Sequence, residues 1–426
     1  MKTKTIEPIK KIYGNISLPG DKSISHRAVM LGAISKGRTS ARGLLDCDDC
    51  NYTIRAFRDM GVNITKEGDV TLIEGVGLRG LKRPASPIRV GNSGTSMRIL
   101  AGILAGQDFK SVLEGDQSLS KRPMKRIVEP LSLMGADIEA ASGDFPPIRI
   151  RGGSLKPIDY RMPVSSAQVK SAVLFAGLYA SGVTTVEELV KSRDHTERMM
   201  KYFGADIKVN GLKVSLAGGR ELDGKAVEVP GDISSASFFI AGAVLLKDSR
   251  VTIKNVSINP TRSGILSVLS RMGARVKVLN KVDAFEPYGD IEAEFGPLKG
   301  IVIEEAQIPG MIDELPIIFV LASLAKGRTV IKGAGELRFK ETDRIISMKE
   351  NLENMGGSVI VGKDEMVIDG VSQLDGAGLK SFGDHRTCMA MTIASLTAKG
   401  ESSIDDVECV NKSFPGFFEI LEGLKK

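Results

Sequence analysis

Leu269-Ser270-Arg271-Met272-Gly273-Ala274-Arg275-Val276-Lys277-Val278 holds three structural signals in ten residues. An apolar stripe ending at Met272 suits a helix, Gly273 suits the left-handed position just past its C-terminus, and the alternation from Val276 suits a half-buried strand. The helix-end phrase recurs at Phe57-Arg58-Asp59-Met60-Gly61-Val62, Leu131-Ser132-Leu133-Met134-Gly135-Ala136, Met200-Lys201-Tyr202-Phe203-Gly204-Ala205 and Leu352-Glu353-Asn354-Met355-Gly356-Gly357. A second recurrence interleaves with it. Near Ser23, Thr95, Ser166, Ser234, Asp313 and Asp384, a polar capping residue opens a helix dense in Ala, Leu, Ile and Gly. Successive openings lie about 70 to 80 residues apart, the size of one supersecondary unit. These helices are apolar on most faces, which predicts burial. Each unit reads strand, buried helix, strand, surface helix, then strands. Six units exceed one core, so three per domain is the natural division, with hinges near Pro19-Gly20 and Pro230-Gly231-Asp232.

The 426 residues also favour two or three domains on length alone. With 42% apolar and 26% charged residues, the composition is that of a soluble globular protein. Apolar runs such as Phe238 to Leu246 and Pro316 to Ala325 fall short of the roughly 18 residues that span a bilayer. No apolar run follows Lys2, Lys4, Lys10 and Lys11, so neither a signal peptide nor a membrane partner is expected. A net charge of +6 is too mild to mark a nucleic-acid binder but suits a protein that attracts small anions. Four cysteines are too few for a disulfide scaffold, and Cys47-x-x-Cys50 lacks the second pair a zinc site needs. Its flanking Asp46, Asp48 and Asp49 should raise the thiol pKa values, which argues for incidental thiols in a reducing cytoplasm.

The six helix openings carry the chemistry. Unpaired N–H groups and the macrodipole make a helix N-terminus an anion site. Six such ends converging on one cleft would hold a heavily anionic substrate pair. Lys22 and Arg27 flank Ser23, which can cap the first helix or donate to a phosphate. This opening superficially resembles a P-loop but lacks the leading glycine and spacer. Gly94 lets backbone approach a ligand, Arg122 stands in a loop before a proline-opened helix, and Ser166 and Gln168 begin the third helix. Asp313 is a carboxylate in an apolar setting, where its pKa could be tuned. Arg338 to Arg344 packs five charged side chains into seven residues, and Gly383-Asp384-His385-Arg386 and Asn411-Lys412-Ser413-Phe414-Pro415 follow. Of the three histidines, His26 and His195 sit beside or near arginines and suit structural roles, whereas His385 is the one best placed to help with a phosphate.

Taken in order, LPGDKSISHRA, GNSGTSMR, SLSKRPM, VSSAQVKSA, RDHTER, IDELP, LRFKETDR, GDHR and NKSFPG span residues 18 to 416 and resemble the signature segments of the EPSP synthase family of enolpyruvyl transferases. The resemblance implies an α/β chain of two inverted barrel-like domains, each of three βαβαββ repeats. One domain would be residues 1–20 plus 232–426 and the other 21–231. It implies transfer of the enolpyruvyl group of phosphoenolpyruvate to the 5-hydroxyl of shikimate 3-phosphate, with release of phosphate, by addition and elimination. Carried over by motif, shikimate 3-phosphate would contact Lys22, Ser23, Arg27, Ser166, Gln168, Arg193, Asp313 and Lys340. Phosphoenolpyruvate would contact Lys22, Gly94, Arg122, Gln168, Arg344, Arg386 and Lys412. Asp313 is the candidate for taking the hydroxyl proton, with Glu341 and Lys22 as proton donors or acids on the phosphate side. No metal or organic cofactor is expected, and the chain is expected to be a cytoplasmic monomer whose domains close on their substrates. The family's commonest pattern has proline where this chain has Ile99, yet Gly94 is kept. Inhibition by glyphosate, the family's inhibitor, is therefore expected, weakened if the helix carrying Gly94 sits differently.

Three rival readings fare worse. The related family that uses UDP-N-acetylglucosamine carries a loop cysteine, and Lys110 to Ser120 has none. Gly75-Val76-Gly77-Leu78-Arg79-Gly80 fits the dinucleotide fingerprint, but Lys82-Arg83-Pro84-Ala85-Ser86-Pro87 cannot open the helix that must follow. An RNA-binding module of related repeat architecture would want aromatic residues among basic ones, and there are only 6 tyrosines and no tryptophan.

Overall fold

The computed structural model of the chain describes residues 2–363 and 365–426. The chain divides into two compact units. One, which we call the inserted unit, is the continuous segment Gly20–Val229. The other, the flanking unit, is made of Met1–Pro19 and Pro230–Lys426. The expected α/β architecture of six βαβαββ-type repeats is what the chain adopts.

In the inserted unit the first repeat runs α1 (Lys22–Ile34), strand Lys36–Arg42, α2 (Asp48–Asp59) and the strands Asn63–Glu67 and Val70–Val76. The second runs from strand Ile88–Arg89 through α3 (Gly94–Ala105), strand Lys110–Glu114 and α4 (Lys125–Leu133) to strands Asp137–Ala141 and Phe145–Arg151. The third runs from Asp159–Arg161 through α5 (Ala167–Gly177), Val183–Glu187 and α6 (His195–Tyr202) to Asp206–Asn210 and Lys213–Ala217. In each sheet the opening strand pairs parallel with the next, and the final antiparallel pair completes four strands. The first repeat borrows its opening strand. Ala226–Glu228, at the far end of the unit, pairs parallel with Ser40 to Arg42.

In the flanking unit the fourth repeat opens on the N-terminal strand Tyr13–Ser17, which pairs parallel with Arg250–Ser257. Around them lie α7 (Ile233–Leu245), α8 (Gly264–Met272) and strands Arg275–Val282 and Tyr288–Glu294. The fifth holds Val302–Ile303, α9 (Leu315–Ser323), Arg328–Lys332, α10 (Arg344–Asn354), Ser358–Val361 and Glu365–Asp369. The sixth holds Gly378–Leu379, α11 (His385–Thr397), Ser402–Ile404 and α12 (Phe417–Leu424), and its sheet is closed by Lys4–Ile6 running antiparallel to Ser402–Ile404.

Two features of the sequence produce this arrangement. The helices α1, α3, α5, α7, α9 and α11 are buried on nearly every face, as their apolar composition requires. Burying each Leu- or Ile-sized chain contributes about 1.5–3 kcal/mol. Close approach is part of the packing: a Cβ on Gly102 of α3 would stand 2.1 Å from the Ala172 carbonyl of α5. The intervening helices show one face to the core; α2, for example, buries Cys50, Thr53, Ala56 and Phe57. They stop at the repeated glycine. Gly61, Gly135, Gly204, Gly273 and Gly356 have φ values of 87°, 89°, 96°, 86° and 81°, a region that costs other residues roughly 1–2 kcal/mol.

The strand Val70–Val76 leads into a turn at Gly77, and no helix follows before α3, so the dinucleotide fingerprint is excluded. Among the described residues no helix is long and apolar enough to cross a membrane.

Candidate active site

Most of the helix openings are capped, though not always by the side chain the sequence suggested. Asp21, not Ser23, caps α1, its Oδ1 accepting from Ile24 N at 2.9 Å. Ser93, not Thr95, caps α3, and Asp232, not Ser234, caps α7. Each suggested residue already lies inside its helix, one or more residues past the position whose side chain can reach back to the orphan N–H groups. Ser166 does cap α5, and Asp384 caps α11. Glu314, next to Asp313, is the residue before α9. Pro123 stands two residues before α4 rather than inside it.

In the inserted unit, capping by Ser93 leaves the Thr95 hydroxyl to accept from Gln168. Lys22 opens α1 and pairs with Asp49 of α2 at 3.2 Å, both partly buried. Arg27, one turn on, is buried and donates to the Ser23 carbonyl at 2.9 Å, Ser171 Oγ at 2.8 Å and Thr196 Oγ1 at 2.7 Å. It thereby ties α1 to the starts of α5 and α6. Gln168 accepts from Arg98 Nη1 at 2.6 Å and donates to Thr95 Oγ1 at 3.1 Å, which ties α5 to α3. Gly94 opens α3 beneath two guanidiniums, and a Cβ there would lie 2.9 Å from Arg98 Nη1 and 3.7 Å from Arg122 Nη1. Arg122, in the loop before α4, donates to Asn92 Oδ1 at 2.6 Å. Arg193 stands two residues before α6, half-buried.

Below these groups runs a buried polar chain. His26 Nδ1 meets Thr53 Oγ1 at 2.7 Å, which meets Ser96 Oγ at 2.7 Å, which donates to Ser93 Oγ at 2.7 Å. Burial, with Lys22 and Arg27 nearby, holds the His26 imidazole well below its ordinary pKa. Its neutral ring links α1, α2 and α3.

The flanking unit gathers a denser set. Arg344, the first residue of α10 and 1% exposed, donates through Nε to Asp384 Oδ2 at 2.8 Å, through Nη2 to Glu341 Oε2 at 2.6 Å and through Nη1 to Asp313 Oδ1 at 3.3 Å. Burial opposes its charge, yet the carboxylates of Asp384, Glu341 and Asp313 outweigh burial and push its pKa up. Asp384 divides its labour: Oδ1 caps α11 at Arg386 N, 2.8 Å away, while Oδ2 holds Arg344. Arg386 donates to the Asp313 carbonyl at 3.1 Å and lies 3.5 Å from its carboxylate. Behind Asp313, Glu314 is fully buried and forms an ion pair with Arg262 at 2.7 Å. Lys412 donates to the Gly383 carbonyl at 3.1 Å, and the turn that carries it is anchored by Phe414, whose ring packs against Phe239 and Phe417. Lys340, adjoining Glu341, lies in the segment just before α10. His385 opens α11 and is buried.

Within the inserted unit Arg27 joins α1 to α5 and α6, and Gln168 joins α5 to α3, whose Gly94 lies near Arg98 and Arg122; within the flanking unit Asp313 and Glu341 bond the Arg344 guanidinium, and Arg386 lies beside Asp313. Sequence reasoning missed Asp49, Arg98, Ser171, Thr196, Arg262 and Glu314. Arg98 had a usable signal, standing one helical turn after Gly94 on the same face. Arg262 had none, since its partner Glu314 is 52 positions away.

The thiols correct an expectation. Cys47 precedes α2 and its thiol pKa is lowered, chiefly by a hydrogen bond from Cys50, whose own pKa is pushed well up by that bond and by burial. Of the acidic flank, Asp49 pushes Cys47 the other way, but less than the Cys50 hydrogen bond lowers it.

The model of the family described as EPSP synthase (3-phosphoshikimate 1-carboxyvinyltransferase) matches residues 6–421. The chain is 51% identical to the 3-phosphoshikimate 1-carboxyvinyltransferase of Geotalea uraniireducens, over 99% of both chains. It is 49% identical to that of Bacillus cereus, over 100% of both. The solved EPSP synthase of Acinetobacter baumannii is similar at a TM-score of 0.90 and 45% identity, covering 100% of this chain and 98% of that one. The chain belongs to the EPSP synthase family, the 3-phosphoshikimate 1-carboxyvinyltransferases of the shikimate pathway.

Proposed function

We propose that this chain carries out the transfer with Asp313, Glu341 and Lys22 as its proton-handling groups. Shikimate 3-phosphate is held by Lys22, Ser23, Arg27, Ser166, Gln168, Arg193, Asp313 and Lys340. Phosphoenolpyruvate is held by Lys22, Gly94, Arg122, Gln168, Arg344, Arg386 and Lys412. The supporting argument is charge. The two substrates together carry roughly −5 to −6, since each phosphate brings about −1.5 to −2 and each carboxylate −1. Lys22, Arg27, Arg122 and Arg193 of one unit, with Lys340, Arg344, Arg386 and Lys412 of the other, meet that charge. Arginine's fork suits the carboxylate and phosphate groups.

In the addition, the 5-hydroxyl oxygen bonds to the central carbon of phosphoenolpyruvate. Asp313 takes the hydroxyl proton, and a proton from Glu341 or Lys22 goes to the methylene carbon. In the elimination the methyl group loses a proton, the carbon–oxygen bond to phosphate breaks, and the enol ether re-forms. The observation that carries this assignment is Arg344, buried and bonded to both Asp313 and Glu341, which fixes the two carboxylates relative to each other.

The chain works as a cytoplasmic monomer without a metal or organic cofactor, and glyphosate inhibits it. The test is phosphate release with two acceptors. Release with shikimate 3-phosphate, none with UDP-N-acetylglucosamine, and loss of release in Asp313→Asn and Glu341→Gln are expected. Full activity in both variants refutes the assignment.

A further inference from the structure

The inserted unit holds a second charged cluster, none of whose members is among the residues assigned above. Lys170, in the second turn of α5, is completely buried. Its Nζ lies 2.7 Å from Glu188 Oε2 and 2.7 Å from Glu197 Oε1, and both carboxylates are buried. Glu188 Oε1 in turn accepts from Ser192 N at 3.2 Å and from the Ser192 hydroxyl. Glu197 Oε2 is buried with no hydrogen-bond partner. Burial pushes the Glu197 carboxyl pKa up even against the pull of Lys170.

Stability is a poor reason for such a cluster. Desolvating an ion pair offsets most of its Coulombic gain, and a well-packed apolar trio is often as stable. Its place in the chain suggests another reason. Lys170 adjoins Ser171, and Glu197 adjoins Thr196; Ser171 and Thr196 both accept from Arg27 and bond each other at 2.6 Å. Glu188 and Ser192 bracket the loop that delivers Arg193. Ser166 and Gln168 lie within one turn of Lys170 on α5.

We infer that Lys170, Glu188 and Glu197 form a positioning cluster for shikimate 3-phosphate, clamping α5, α6 and the loop between Glu188 and Ser192 so that Arg27, Arg193 and Gln168 share one geometry. This rests on the assignment of those residues to shikimate 3-phosphate given above. The three residues touch no substrate. They act through their neighbours, and the cluster sets affinity for one substrate more than the other.

The test is steady-state kinetics of the full chain, varying each substrate in turn. Glu197→Gln and Lys170→Met should raise KM for shikimate 3-phosphate about tenfold, with KM for phosphoenolpyruvate changed less than about twofold. Lys170→Arg should restore most of the loss. Circular dichroism and a melting curve establish folding, and the isosteric Glu197→Gln carries the test if Lys170→Met does not fold. Folded Glu197→Gln with an unchanged KM for shikimate 3-phosphate, or with both KM values raised in parallel, overturns the inference. Arg193→Ala separates it from the assignment beneath it. An unchanged KM there sinks both, whereas a raised KM there with silent Glu197→Gln sinks the positioning role alone.

Discussion

The guanidinium of Arg98 and the side-chain amide of Gln168 meet at 2.6 Å, joining the starts of two buried helices that are 70 positions apart in the chain. The amide nitrogen continues the link to Thr95. Gln168→Ala leaves a guanidinium without this acceptor. Hydrogen bonds to charged groups are worth about 1.5–3 kcal/mol, so kcat/KM should fall roughly 10- to 100-fold. Steady-state kinetics with both substrates checks this, and a change below about threefold would show that the link is incidental.

Gly94→Ala separates stability from binding. Alanine is a better helix former than glycine by about 1 kcal/mol, so the melting temperature should hold or rise. Its Cβ, however, would stand 2.9 Å from Arg98 Nη1 and must displace that guanidinium. The expected result is KM for phosphoenolpyruvate raised about tenfold, with a smaller change for shikimate 3-phosphate. An unstable protein, or an unaltered KM, contradicts the geometry.

Arg344→Met removes a buried cation and leaves Asp384 buried against no charge. Breaking such a pair costs about 3–5 kcal/mol, to be read from urea denaturation. Arg344→Lys keeps the charge, but one ammonium cannot reproduce a fork aimed at Asp313, Glu341 and Asp384. It should fold and still lose about 100-fold in kcat/KM. A lysine variant of parental activity would show that charge alone suffices.

His26 gives a signed pH effect. Its folded pKa lies well below 6.5, so on acidification the unfolded chain takes up the proton first. The stability it contributes is present above about 6.5 and is lost as pH falls through the window below, by up to about 1.4 kcal/mol per pH unit. His26→Asn lacks this dependence. Melting curves of parent and variant should therefore draw together between pH about 7.5 and about 5.5. Parallel curves would refute the buried neutral ring.

The repeat was legible because each of its signals is local. Gly61, Gly135, Gly204, Gly273 and Gly356 all take the left-handed conformation that the phrase around them predicts. Caps were legible only to within a few residues. Asp21-Lys22-Ser23 and Ser93-Gly94-Thr95 each offer two side chains able to cap, and only backbone geometry decides between them. The ties among site residues were not legible. Arg27 reaches Ser171 and Thr196 across 144 and 169 positions, and nothing near Arg27 in the sequence names those partners. The Cys47 thiol differs from expectation because counting acidic neighbours along the chain takes no account of the hydrogen bond from Cys50.

The borrowed strands have a consequence for how the chain is made. Gly20 and Val229, the ends of the inserted unit, touch: a Cβ on Gly20 would fall 2.7 Å from Val229 Cγ1. That unit is complete once its last strand has left the ribosome. Tyr13–Ser17 must wait for Arg250–Ser257, and Lys4–Ile6 for Ser402–Ile404. At about 5–20 residues per second, Lys4–Ile6 waits tens of seconds before Ser402–Ile404 exists to pair with it. Until then it is an unpaired edge open to a nascent-chain chaperone.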